Sequence, residues 1–179
     1  MSNIVIIQGS PHKNGNTARL VQAFTDGLSP EHHVTIINAA ELHINYCIGC
    51  NSCFTREGNR CFQQDDMQKI MPVLAEADVL VFASPVYFYG ISAQLKTLLD
   101  RLHTPLRNSF KAKKTALLLV GAASLPELFD SILTQYRLLL NFFQLEDLGT
   151  ILVRGVKNPG DIEGRPELQN ARKLGEGIK

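Results

Sequence analysis

Five continuous apolar runs, each followed by a segment of helical period, constrain this chain more than any other feature. The runs are Ile4–Ile7, Val34–Ile37, Val79–Ala83, Ala116–Val120 and Thr150–Val153. Continuous rather than alternating apolar character is the pattern of strands in a parallel sheet covered on both faces. The intervening stripes carry apolar residues three and four apart. Examples are Leu20, Val21, Phe24 and Leu28, then Met67, Ile70, Met71 and Leu74, then Leu95, Leu98, Leu99 and Leu102. Two further stripes follow, Leu128 to Leu140 and Leu168 to Ile178. Strand and helix repeated five times predict a doubly wound α/β sheet. Asn14 or Asn16 is expected to cap the first helix, and Asp65-Asp66 stands before the second. Pro72 falls inside that second stripe, so a kink or a short first turn is expected there.

A chain of 179 residues suits a single domain spanning 1–179. Its 18 basic and 17 acidic residues give a formal charge of +1. That balance offers no electrostatic argument for a nucleic-acid partner or a polybasic membrane anchor. No apolar run is long enough to cross a bilayer. Met1 to Ile7 lacks a basic leading segment and reads as a first strand, not a signal peptide. The cysteines, Cys47, Cys50, Cys53 and Cys61, crowd into one stretch instead of spreading to close long loops. A cytoplasmic location and a chemical role for the thiols are expected.

One connection is too long for a compact α/β unit. Residues 38–64 separate the second strand from the second helix, and they hold every cysteine. Connections of this length are usually functional.

Two loops look built for a ligand. The first strand is followed by Gly9-Ser10-Pro11-His12-Lys13-Asn14-Gly15-Asn16-Thr17 and then a helix. Backbone N–H groups at a helix start, with hydroxyls from Ser10 and Thr17, make an anion cradle. The segment is neither a Walker loop nor a Gly-x-Gly-x-x-Gly turn, so a monophosphate suits it better than a triphosphate or a dinucleotide. His12 joins the candidate phosphate contacts by its place in the loop. The alternative is a set of ordinary turn residues with a helix cap. Position directly after the first strand favours the cradle. The third strand is followed by Ser84-Pro85-Val86-Tyr87-Phe88-Tyr89-Gly90. Here Tyr87, Phe88 and Tyr89 offer flat apolar faces to a ring system, or pack as core or surface. Open parallel sheets bind ligands where the strand order reverses. In a 2-1-3-4-5 order that point lies between strands one and three, the two strands that carry these loops.

In combination these segments resemble a known family. Gly9-Ser10-Pro11 with Asn14-Gly15-Asn16-Thr17, Asp65-Asp66-Met67, Ser84-Pro85-Val86-Tyr87, and Leu95-Lys96 with Leu99-Asp100-Arg101 are similar to the flavodoxin-like NAD(P)H-dependent FMN reductases. The resemblance implies a flavodoxin-like five-stranded parallel sheet, bound FMN, and NAD(P)H as co-substrate. It places Ser10, Asn16 and Thr17 at the FMN phosphate, with Asn14 in the same motif. Pro85, Val86, Tyr87 and Phe88 would lie along the isoalloxazine. Gly121, Ala122 and Ala123, after strand four, match by position rather than by motif. The resemblance further implies a homodimer or a dimer of dimers. It leaves the small-molecule electron acceptor open among quinones, nitro or azo compounds, free flavin and an iron-sulfur centre. Hydride transfer between stacked rings requires positioning and no obligatory acid or nucleophile, so no catalytic residue is assigned. Near-neutral charge and the Ser84–Tyr87 segment weigh against a pure electron carrier of the flavodoxin type. A flavin-binding redox sensor, its cysteine loop regulating a partner, is a third reading.

The cysteine spacing is C-x2-C-x2-C-x7-C. Thiolates so close in sequence can hold an iron cluster or a zinc ion. The run resembles that of the iron-sulfur flavoproteins, a branch of the same fold, which implies a [4Fe-4S] cluster on Cys47, Cys50, Cys53 and Cys61. Its last gap is seven residues, where ferredoxins have three, and no proline follows Cys61. Free thiols, zinc and a disulfide remain as alternatives at this point.

Overall fold

The computed structural model describes residues 1–179. Strand β1 (Asn3–Gln8) lies in the interior of the sheet because its apolar run is apolar on both faces. Val5 and Ile7 point into one core layer, Ile4 and Ile6 into the other, and all four are buried. The remaining elements follow the predicted alternation, with two short additions, at Ser52–Thr55 and Gly90–Ile91, that it does not contain. They are α1 (Asn16–Thr25), β2 (His33–Asn38), a short α2 (Ser52–Thr55), α3 (Met67–Ala75) and β3 (Val79–Tyr87). Then come a two-residue β4 (Gly90–Ile91), α4 (Ala93–Arg101), β5 (Lys114–Val120), α5 (Asp130–Phe143), β6 (Glu146–Val153) and α6 (Pro166–Glu176).

The sheet order is β2-β1-β3-β5-β6, all parallel, with β4 pairing antiparallel to the end of β3. Counting the long strands alone, this is the 2-1-3-4-5 order of a flavodoxin-like fold. Leu74 of α3, Leu95 and Leu98 of α4, and Ile132 and Tyr136 of α5 cover the Val5 face. Leu20, Val21 and Phe24 of α1, with Ala171 of α6, cover the Ile4 face. The strand order reverses between β1 and β3, so the carboxyl ends of these two strands open a crevice.

The start of α1 differs from the expectation. Neither Asn14 nor Asn16 caps α1; Gly15 holds the cap position without a side-chain bond. The Asn16 amide is spent elsewhere, as described below. Helix α3 runs through Pro72 without a break in assignment. Pro72 denies a partner only to the carbonyl of Gln68, and both residues lie on the exposed face, where water can serve that carbonyl.

Candidate functional site

The crevice is assembled from strand ends. The Gly9 N–H donates to the Ala83 carbonyl at 2.8 Å, which extends the β1–β3 ladder by one rung. A Cβ on Gly9 would lie 2.7 Å from Leu95 Cβ and closer still to Ser92 Oγ. Glycine is therefore required for the first loop to pass over the start of α4. Beyond it, the buried Ser10 hydroxyl accepts from the His12 N–H at 3.2 Å and folds the loop back. The first bond of α1 runs from the Arg19 N–H to the Gly15 carbonyl at 3.0 Å, leaving the N–H groups of Asn16, Thr17 and Ala18 without backbone partners. No acidic residue lies in the first turn, so the positive end of the helix dipole faces the loop uncompensated. Thr17 is almost wholly buried beside these donors, whereas His12, Lys13 and Asn14 are exposed. Lys13 turns away to pair with Glu41 at 2.9 Å.

The second loop is a hairpin, which periodicity could not show. Ser84 Oγ accepts from the Ser92 N–H at 2.9 Å, and Ser92 Oγ caps α4 by accepting from the Leu95 N–H at 3.3 Å. Between them Val86 pairs with Ile91 and Tyr87 with Gly90. Phe88 and Tyr89 form the two-residue turn with φ of 50° and 62°, the left-handed geometry usual in tight hairpins but usually filled by Asn and Gly. Pro85 and Val86 are half-buried at the crevice, Tyr87 and Tyr89 are exposed, and Phe88 is 100% exposed. Ser131 Oγ, in the first turn of α5, donates to the Tyr89 carbonyl and holds the turn.

The third loop enters through register. Pro85 is paired with Val120, which brings Gly121 beside Val86. Gly121 is buried and Ala122 exposed. A Cβ on Gly121 would stand 2.5 Å from Leu128 Cδ2, so this position too admits only glycine without rearrangement. A fourth loop, 154–164, was not anticipated. The Asn16 amide donates to the Asn158 carbonyl at 2.9 Å and accepts from the Gly160 N–H at 3.1 Å. Arg19 pairs with Glu163 at 2.8 Å. Asn16 thus braces the phosphate-type loop against the connection after β6. The signal available in sequence was the Asn-Pro-Gly-Asp run at 158–161, a turn composition whose partner could not be named.

The cysteine segment lies apart from these loops. Residues 43–45 run beside 65–66. Asp66 Oδ2 accepts from the His43 N–H at 2.9 Å, and the Asp66 N–H donates to the His43 carbonyl at 3.0 Å. Asp65 Oδ2 accepts from the Asn45 N–H at 3.1 Å. Arg101, at the end of α4, donates from Nη1 to Asp65 at 2.6 Å and to the Asn45 carbonyl at 2.8 Å. Both side chains of this ion pair are buried, at 3% and 0% exposure. Burial pushes the Asp65 carboxyl up, but Arg101 and the N–H groups of Asn45 and Met67 outweigh it and hold the group below its ordinary range.

The four thiols, all free, line one cavity of about 700 Å³ with Arg101, His103 and Met71. None of its lining residues belongs to 9–17 or 84–92. Cys53 donates to the His103 carbonyl at 3.7 Å, and Cys50 to Ser52 Oγ at 3.4 Å. Burial raises the Cys53 thiol above its ordinary value, and the charges of Cys61 and Cys47 add to the rise. Once Cys50 ionises, the Ser52 hydroxyl and N–H can donate to the thiolate, which holds this thiol below its ordinary value. No three His, Cys, Asp or Glu side chains are gathered at metal-holding distance.

Residues 2–148 match the sequence family described as NADPH-dependent FMN reductase. The chain belongs to that family. It is 31% identical over 178 residues to an iron-sulfur flavoprotein of Archaeoglobus fulgidus, covering 96% of this chain and 76% of that protein. It is 41% identical over 111 residues to an iron-sulfur flavoprotein of Methanocaldococcus jannaschii, covering 62% of this chain. The match spans only 56% of the Methanocaldococcus protein's length. Among solved structures, the NAD(P)H:quinone oxidoreductase from Methanothermobacter marburgensis superposes with a TM-score of 0.79, over 99% of both chains. At 18% identity that likeness shows the fold. No helix of the reductase-family chain is long and apolar enough to cross a membrane.

Proposed function

We propose that this chain is an FMN-dependent oxidoreductase that takes hydride from NAD(P)H and delivers electrons to a small-molecule acceptor. The carrying observation is the set of unpartnered donors at the start of α1, opening into the crevice at the β1–β3 reversal. Their chemistry fits a phosphate monoester: N–H groups of Asn16, Thr17 and Ala18, the Thr17 hydroxyl, and a dipole with no competing carboxylate. Ser10 shapes the loop, and Asn16 orients it through the 154–164 connection. Pro85, Val86 and Tyr87 would hold one edge of a flat ring system, with Gly121 and Ala122 close by. FMN, when bound, supplies the hydride chemistry. The protein's part is to fix the ring, admit a nicotinamide and keep water from its edge. His12 and Asn14, exposed in the same loop, are the further candidate phosphate contacts.

The test is the cofactor itself. Heat-released flavin should run as FMN, and NADPH or NADH should bleach the holoprotein anaerobically. Stoichiometric FAD, or no bleaching with either nucleotide, would overturn the reading.

A second reading concerns the cysteine segment. Four thiols on one cavity suit a [4Fe-4S] cluster as a donor set, although no three of them stand at metal-holding distance. Cys47, Cys50, Cys53 and Cys61 would be its ligands. Anaerobic preparations should then carry about four irons per chain; preparations without iron leave the segment as a thiol-bearing flap. A homodimer or dimer of dimers is supported by the exposed Tyr87, Phe88 and Tyr89, an apolar patch beside the crevice. Light scattering that showed an FMN-saturated, active monomer would refute it.

A further inference from the structure

We propose that the buried Asp65–Arg101 pair is a clasp that closes the cysteine segment at its base and so positions its four thiols. The clasp rests on the cluster reading for its purpose, but not for its existence. Residues 46–64 leave and rejoin the body of the protein between Asn45 and Asp65. These two residues are joined directly by the Asn45 N–H to Asp65 Oδ2 bond of 3.1 Å. Arg101 Nη1 bridges the same two residues, to the Asn45 carbonyl at 2.8 Å and to Asp65 at 2.6 Å. Both backbone groups of Asn45 are therefore committed to one ion pair, two residues before Cys47. The other end of the segment is fixed four residues after Cys61.

The arrangement is specific to a guanidinium. Nη1 serves two acceptors while Nη2 reaches Asp65 Oδ1 at 3.3 Å, a fork that lysine cannot reproduce. Arg101 also lines the cavity that holds every cysteine, and it lies within electrostatic reach of Cys47 and Cys61. A neutral surface loop needs no buried charge at its base. Closing a long excursion costs little more than closing a short one, but holding its contents in one arrangement demands a fixed base. The pair supplies that base from α4, whose own start is anchored at Ser92 beside the crevice. Asp65 and Arg101 are thus positioning residues and touch no reacting atom.

The experiment compares wild type, Arg101→Lys, Arg101→Met and the double variant Asp65→Leu/Arg101→Met. The double variant removes both charges and so avoids a lone buried charge, and its circular dichroism and FMN content establish its fold before the readouts are taken. Two readouts are taken on FMN-loaded protein. They are alkylation rates of the half-buried Cys53 and Cys61 without metal, and iron per chain after anaerobic reconstitution. The clasp predicts at least tenfold faster alkylation and loss of iron in the double variant, with FMN occupancy unchanged and Arg101→Lys in between. Wild-type alkylation rates and wild-type iron in the double variant would overturn it. If wild type itself takes up no iron, the cluster reading fails, and the alkylation series alone decides the clasp.

Discussion

The crevice loops and the cysteine segment leave the same sheet, yet they are built on opposite plans. The crevice is made from strand ends. Gly9 continues the ladder to Ala83, Pro85 is in register with Val120, and each loop begins within a rung of its neighbour. Its geometry follows from the sheet. The cysteine segment has no such inheritance. It is an excursion with a four-residue helix, α2, closed at a base held by Asp65 and Arg101 and touching the body again where Thr104 donates to the Asn59 carbonyl and where Cys53 and Phe54 meet His103. A site made of strand ends is broken by a misfit in packing; a segment closed by an ion pair is loosened at its base by loss of a charge.

That contrast can be broken from either side. The largest effect is expected from Arg101→Met, which leaves the Asp65 carboxylate buried without its partner and should cost about 3–5 kcal/mol. Urea unfolding should show the loss, while FMN occupancy of the folded fraction stays at the wild-type level. Equal loss of FMN would mean that the two regions are not separate. Gly9→Val comes next, at about 1–3 kcal/mol for forcing a side chain against Leu95 and Ser92. Here the expected pattern inverts, with FMN lost and cysteine alkylation unchanged.

Thr17→Glu should cost stability, because it puts a larger, charged side chain into an almost wholly buried position, and it should expel FMN by placing a carboxylate at the proposed phosphate site. Retained FMN in this variant, measured by absorbance after gel filtration, would move the phosphate elsewhere. The smallest and most localised effect is acid release. The folded pKa of Asp65 is lowered, so its stabilisation is complete above the ordinary aspartate value of about 3.9 and disappears as pH falls through the folded value. Hydrogen exchange in 46–64 should therefore rise at acid pH before exchange in β1 or β3 does. Simultaneous rise would make the base of the segment no weaker than the core.

Sequence reading reached the first region much better than the second. Continuous runs such as Ile4–Ile7 and Ala116–Val120 specify parallel strands buried on both faces, and their alternation with helices leaves few topologies. The reversal point, and with it the position of the two candidate loops, follows from that order. Contacts between distant segments do not. Asn16 looks like a cap or a phosphate ligand in its own loop; its side-chain amide bonds to Asn158 and Gly160, a contact no local rule announces, while its backbone N–H stays without a backbone partner. Asp65 and Arg101 stand inside recognisable motifs, and no local rule says that they meet. The 46–64 excursion has neither period nor register, so its cysteines could be named by spacing while their placement away from the crevice could not.

The turn at Phe88-Tyr89 carries a consequence for how this chain tolerates change. Both residues hold a backbone conformation in which a side chain is costly, at about 1 kcal/mol or more each. Glycine or asparagine would relieve that cost, so an unbiased search for hardier variants would tend to erase these aromatics first. Their presence in an exposed, strained turn costs robustness where the crevice meets its surroundings. A stabilised variant should be chosen by turnover as well as by melting, since the easiest gain lies where a ring at the rim would be forfeited.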